Sequence, residues 1–225
     1  MPGPPLSPTD FPVCSALLAY QNPPVPLTLI TAAVRELVAV VACTFQTTVD
    51  DRPVAAVELR RDSPPMAIPN IGVIALRQQT VAGDYRQQLL YNAAHEAQHY
   101  ACIVGAPGTW VDEMLAEVFA VAVTGVLAPT YSSDTVQRHR TDGATLTYRD
   151  MASLPWPLDG VGGNTPPEIY ARAFLTGEQL QAAVGWEDLR TFTGRTATRE
   201  QVRPEAWITY LAPEKAVEAR RILQI

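Results

Sequence analysis

Twenty prolines stand among the 225 residues of this chain, and they are placed unevenly. Proline fixes φ and donates no backbone hydrogen bond, so long helices and inner strands have to fit between prolines. "PGPPLSP" and "NPPVP" crowd the first 26 residues, which predicts an extended proline-rich arm over residues 1–27. "LTLITAAVRELVAVVACTFQ" then lacks proline and glycine and is apolar all round, as in a largely buried helix. "PVAAVELRRD" alternates as a strand, with Val54, Ala56 and Glu58 against Ala55, Val57 and Leu59. "SPPMAIPN" reads as a turn-rich break and "IGVIALRQQ" as a second strand.

From Asp84 the period becomes helical. Tyr85, Leu89, Asn92, Glu96 and Tyr100 recur at helix spacing behind Asp84 as N-cap, and the helix is expected to end near Val104 in "GAPG". "TWVDEMLAEVFAVAVTGVL" is the next helix, capped by Thr109. Residues 128–165 are rich in Pro, Gly, Ser, Thr and Asp and predict a long irregular loop. "PPEIYARAFLTGEQLQAAVG", "WEDLRTFTG" and "RPEAWITYLAPEKAVEARRIL" make residues 166–225 a helical C-terminal subdomain, after a metal-binding domain at 28–127.

Composition excludes some partners. Hydrophobic residues make up 47% of the chain, enough for a core. No run of eighteen apolar residues is free of charge or proline, so no membrane span is expected. A net charge of -6 without a Lys/Arg cluster argues against nucleic acid. Cys14, Cys43 and Cys102 are odd in number and far apart, giving neither a disulfide framework nor a CxxC clip. With no basic segment ahead of an apolar run at the start, a cytoplasmic location is the expectation.

The chemistry gathers in "AAHEAQHY", which holds two of the chain's three histidines. Positions i and i+4 of a helix share a face, so His95 and His99 can aim imidazole nitrogens at one point, as zinc requires. Glu96 lies about 100° round the helix from His95, where a carboxylate reaches a metal-bound water without ligating. The bland alternative is a helix with two packed histidines. A catalytic zinc takes a third protein ligand. The metzincin pattern would put a glycine and a histidine three and six residues beyond His99, where Cys102 and Gly105 stand. His139, between Arg138 and Arg140, is expected to be a solvated loop residue.

"TWVDEMLAEVFA" resembles the segment in which the gluzincin family of zinc peptidases pairs HExxH with a glutamate on the following helix. Trp110, Glu113 and Ala116 match a Trp-x-x-Glu-Gly-x-Ala pattern, with Met114 in place of the glycine. The resemblance implies Glu113 as third ligand and Glu117, one turn on, hydrogen-bonded to a ligand histidine. Asp112 is the reserve ligand, since "GTWVD" resembles the Gly-Thr and Asp segment of aspzincins at a different distance from the histidines. Tyr170 falls on the tyrosine of a Tyr-x-Lys-Gly segment that steadies the oxyanion, although Arg172 and Ala173 replace Lys and Gly; Tyr131, Tyr148 and His139 are its rivals. "IGVIALRQQ" takes the place of the zincin strand whose edge pairs with a peptide.

What the resemblance implies is a zincin-like α+β domain holding Zn2+ through His95, His99 and Glu113. It would hydrolyse amide bonds of a peptide or protein substrate, with Glu96 as base. The exopeptidase segment Gly-x-Met-x-Asn is absent before the helix. A small-molecule amidase, a non-catalytic zinc sensor and a metal-free helical interaction domain remain as alternatives.

Overall fold

The structure, a computed structural model, describes residues 6–22, 24–45, 53–61, 64–68, 71–78, 85–102, 110–147, 167–192 and 204–225. Helices dominate them, beside one small mixed sheet, an α+β arrangement. In chain order the elements are α1 (Pro12–Ala19), α2 (Leu27–Phe45), β1 (Ala56–Arg60), β2 (Met66–Ile68), β3 (Val73–Arg77), α3 (Tyr85–Cys102), α4 (Trp110–Leu127), α5 (Pro129–Asp142), α6 (Pro167–Val184), α7 (Trp186–Leu189), α8 (Pro204–Ile208) and α9 (Pro213–Leu223).

Helix α3 is the centre of the molecule. It packs against α1, α2, α4, β2 and β3, and from Leu89 to Cys102 every residue but Asn92 is buried. A helix covered on all sides needs no apolar stripe, and α3 has none. Ala93, Ala94, Ala97 and Ala101 keep its flanks thin, so its neighbours come close.

The N-terminal stretch is not an extended arm over its described residues. Ser7 caps a short 3-10 turn at Pro8–Asp10 and α1 follows. Phe11, Cys14 and Leu17 are buried, and α1 packs on α2 and α3. Both prolines stand in first helical turns, where a missing N–H is no loss. The Glu36 carboxylate of α2 accepts the N–H groups of Val13 at 2.9 Å and Cys14 at 2.8 Å, doing for α1 what an N-cap side chain would. Burial, with the Glu36 carboxylate beside it, pushes the Cys14 thiol far up, so it serves as a core residue.

Helix α2 has 19 residues and is long and apolar enough, by those measures alone, to cross a membrane. Here its inner face of Ile30, Val34, Leu37, Val41 and Phe45 is buried, and Arg35 donates twice to the Val54 carbonyl, at 3.2 and 3.0 Å.

The sheet corrects two sequence expectations. "SPPMAIPN" is not only a break, since β2 lies within it. Between Pro65 and Pro69 there is room for three strand residues, and an edge strand tolerates flanking prolines. The order is β1-β3-β2, with β1 parallel to β3 (Ala56↔Val73) and β2 antiparallel (Ala67↔Ile74). "IGVIALRQQ" therefore supplies the buried central strand, and the edge nearest α3 belongs to β2.

The expected loop at 128–165 is helical at its start: α5 and a 3-10 turn occupy Pro129–Thr145. Pro129 opens the helix instead of breaking a chain. The buried face of α5 is Tyr131, Ser132 and Thr135, whose hydroxyls carry no apolar period to read. Residues 148–166, and the caps expected at Asp84 and Thr109, lie outside the described residues.

Helices α4 and α6 approach through Gly177. A Cβ there would stand 2.5 Å from Val118 Cγ2 and 2.8 Å from Met114 Cγ. The bulk of Met114, fully buried on α4, is thus met by a missing side chain on the facing helix.

Gly177→Ala is expected to wedge α4 from α6 and to lower stability by about 1–3 kcal/mol. Glu36→Ala, which strips α1 of its cap, should cost about 0.5–2 kcal/mol. Urea unfolding followed by far-UV circular dichroism measures both; a Gly177→Ala midpoint equal to the parent's would show that the helix contact is loose.

Candidate metal centre

His95 and His99 stand one turn apart near the end of α3, and Glu113 faces them from the first turn of α4. Their approach follows from the packing of α3 against α4. His95 Nε2 lies 3.0 Å from His99 Nε2 and 3.2 Å from Glu113 Oε2, and His99 Nε2 lies 3.5 Å from that same oxygen. Donors arranged tetrahedrally about zinc at ~2.0–2.1 Å are about 3.3 Å apart, and the three separations bracket that value. Glu113 Oε2 is buried with no aligned hydrogen-bond partner, while the two Nε2 atoms share a hydrogen bond. The donor set of two imidazoles and one carboxylate suits zinc.

Electrostatics agree with the geometry. Burial alone would push both imidazoles down, but Glu113 and Glu117 outweigh it at His95, which is held well above its ordinary value. His99 is raised as well, with Glu113 overcoming its burial. Burial would raise the Glu113 carboxyl, yet His99 and His95 hold it well below the usual carboxylate range. The pocket attracts positive charge, whether a proton or a metal ion.

Glu96 is the residue after His95 and is buried. Burial pushes that carboxyl up, against the pull of His95 and His99. A cleft of about 370 Å³ opens beside it, lined by Pro64, Pro65, Tyr131, His139 and Tyr170 among others. Tyr170, in the first turn of α6, sets its ring edge-on to His95 with centroids 6.1 Å apart.

Glu117 Oε1 stands 3.2 Å from His95 Nδ1, the ring nitrogen that faces away from the cluster. Asp112 is buried one residue before Glu113 and is not in the cluster. Tyr131 lines the cleft, with its hydroxyl donating to Gln88 Oε1 at 2.7 Å. Tyr148 lies outside the described residues.

His139 is not a solvated loop residue. It sits on α5, stacks on Phe174 of α6 with centroids 4.9 Å apart, and places Nε2 3.1 Å from Glu117 Oε2. Its flanking arginines point to a solvated surface, whereas the helix turns the histidine between them inward. Tyr91, whose hydroxyl also donates to Glu117 Oε2, is the other neighbour that the sequence reading missed. Its one signal is position, since Tyr91, His95 and His99 follow at i, i+4 and i+8 on one face of α3.

The chain matches no protein-family model, no curated protein and no solved structure. The meaning of the site therefore rests on its own geometry.

Any metal taken up here would have to displace protons from His95 and His99. Both imidazoles are held above the ordinary histidine value of about 6.5, so protons compete more strongly than at an ordinary pair. The sign is that zinc affinity falls as pH drops, beginning already near neutrality. Chelator-competition titrations between about pH 6 and 8 measure this, and an affinity flat across that range would contradict it.

Proposed function

We propose that this protein is a zinc-dependent metallohydrolase that cleaves peptide (amide) bonds on a zincin-like fold of gluzincin type. The observation that carries the proposal is the triangle of His95 Nε2, His99 Nε2 and Glu113 Oε2, with separations of 3.0, 3.2 and 3.5 Å, beside a buried glutamate. His95, His99 and Glu113 would hold the zinc, and Glu117 would keep His95 in the tautomer whose Nε2 carries the free lone pair. Bound zinc would acidify a water and polarise the substrate carbonyl.

The remaining steps belong to the chain's own groups. The Glu96 carboxylate takes the proton of the attacking water and returns it to the leaving amine nitrogen. Its raised affinity for a proton suits both transfers at neutral pH. Burial of the Glu96 side chain holds the carboxylate in place, so the base does not have to be ordered during reaction. The Tyr170 hydroxyl, from the cleft wall, donates to the oxygen on which negative charge develops. Pro64 and Pro65 lead into β2, whose edge is available to an extended peptide laid along the cleft.

Elemental mass spectrometry of the purified protein should find about one zinc per chain, lost or sharply reduced in His99→Ala and Glu113→Ala. Glu96→Gln should keep the zinc and lose activity on a peptide library by about 10²–10⁴-fold. No zinc in the parent after zinc is supplied would leave a helical interaction domain. Zinc bound with no cleavage by the parent would leave a sensor on the same scaffold.

A further inference from the structure

Glu117 is a carboxylate on an apolar helix. Around it on α4, Met114, Leu115, Ala116, Val118, Phe119 and Ala120 are all buried, and Glu117 itself is 4% exposed. A charge in such surroundings is tolerable only with a full set of donors. Three are present, drawn from two other helices: His95 and Tyr91 of α3, and His139 of α5.

The donors are unequally shared between the two oxygens. Oε1 lies 3.2 Å from His95 Nδ1, within reach of a proton on that nitrogen. Oε2 accepts the Tyr91 hydroxyl and lies 3.1 Å from His139 Nε2, and that nitrogen also shares a hydrogen bond of 3.2 Å with the Tyr91 oxygen. An ionised carboxylate can only accept, and the polar neighbours gathered round Glu117 suit that state. Tyr91 donates its hydroxyl proton to Oε2, and a His139 ring protonated on Nε2 would donate to the same oxygen. The His139 ring is fixed in turn by stacking on Phe174, with planes 27° apart.

We propose that Tyr91 and His139 are positioning residues of the metal centre: together they clamp Glu117 Oε2, so that Oε1 holds His95 Nδ1–H and aims His95 Nε2 at the ligand triangle. This rests on the zinc reading of His95, His99 and Glu113. A carboxylate held only through Oε1 can rotate about its last torsion and carry the imidazole with it; two donors on Oε2 remove that freedom. Because both act on one oxygen, each partly covers for the loss of the other. The clamp also ties α5, a wall of the cleft, to the metal ligand on α3 through a single carboxylate.

The test measures zinc affinity of the full chain by chelator competition, with the melting temperature of the stripped protein as the fold control. Removing an outer partner of a ligand histidine costs about 10–100-fold in affinity, and Glu117→Ala is expected in that range. Tyr91→Phe and His139→Ala should each lose less, roughly 3–10-fold, and the double variant should lose more than the product of the two. His139→Gln, whose amide N–H can take the place of Nε2–H, should recover to within about twofold of the parent. A His139→Gln variant no better than His139→Ala would overturn the proposal, because stacking on Phe174 would then be what matters. Singles and double indistinguishable from the parent would also overturn it while leaving the zinc reading intact. A parent that binds no zinc overturns both. Should His139→Ala not fold, Tyr91→Phe, which removes one oxygen, decides the matter alone.

Discussion

The packing of α3 against α4 is the contact on which the rest of the structure depends. Helix α3 carries two imidazoles and a carboxylate into a region largely withdrawn from water, and such groups survive burial only with partners of opposite polarity. Glu113 and Glu117, one turn apart on α4, are those partners. Each carboxylate meets a different edge of His95, one at Nε2 and one at Nδ1, so the ring is gripped along both of its polar positions. Glu113 then reaches on to His99. The two helices are thus registered by charge as well as by shape.

Shape does the remaining positioning. The alanines of α3 let the sheet and helices close round it, and the missing side chain at Gly177 lets α6 settle on Met114 and Val118 of α4. With α6 so placed, its first turn delivers Tyr170 to the side of His95, and its next turn places Phe174 against His139. One glycine on a helix interior therefore bears on two aromatic contacts at the cleft. The propensity it loses as a helix former is about 1 kcal/mol, small beside the packing it permits.

Much of this was legible in the residues, and what was not has a physical reason. HEAQH placed His95, Glu96 and His99, because helical spacing alone decides that i and i+4 share a face. The long elements α2, α3, α4 and α6 were legible from uninterrupted period or length. Proline misled three times, at Pro8–Pro12, near Pro65 and at Pro129, since it marks helix starts and edge strands as readily as breaks. The helix α5 hides because its inner face is hydroxyl-bearing: Ser132 Oγ donates to the Val121 carbonyl at 3.0 Å where an aliphatic residue would give a hydrophobic signal. His139 was hidden with it. Which strand is central is a matter of long-range pairing, and no local pattern in "IGVIALRQQ" distinguishes an edge from a middle.

A chain selected for stability alone would not build this core. Buried ion pairs repay their desolvation poorly, and replacing them by packed apolar side chains is often neutral or stabilising. Here three imidazoles and three carboxylates of Glu96, Glu113 and Glu117 are gathered at one end of the central helix. Around them, His99 Nδ1 and Glu113 Oε2 are buried without hydrogen-bond partners, and Gln98 on the same helix is wholly buried with both amide atoms unpaired. Each such atom lowers stability by about 1–3 kcal/mol. Glu117 is the opposite case, accepting from Tyr91 and lying within 3.2 Å of His95 and 3.1 Å of His139. The contrast separates two roles within one cluster. Glu117 has three polar neighbours close by, whereas Glu113 Oε2, at a corner of the ligand triangle, has no aligned hydrogen bond. A cation at the centre of the triangle would bond all three ligand atoms at once, and folding would then draw on its binding energy.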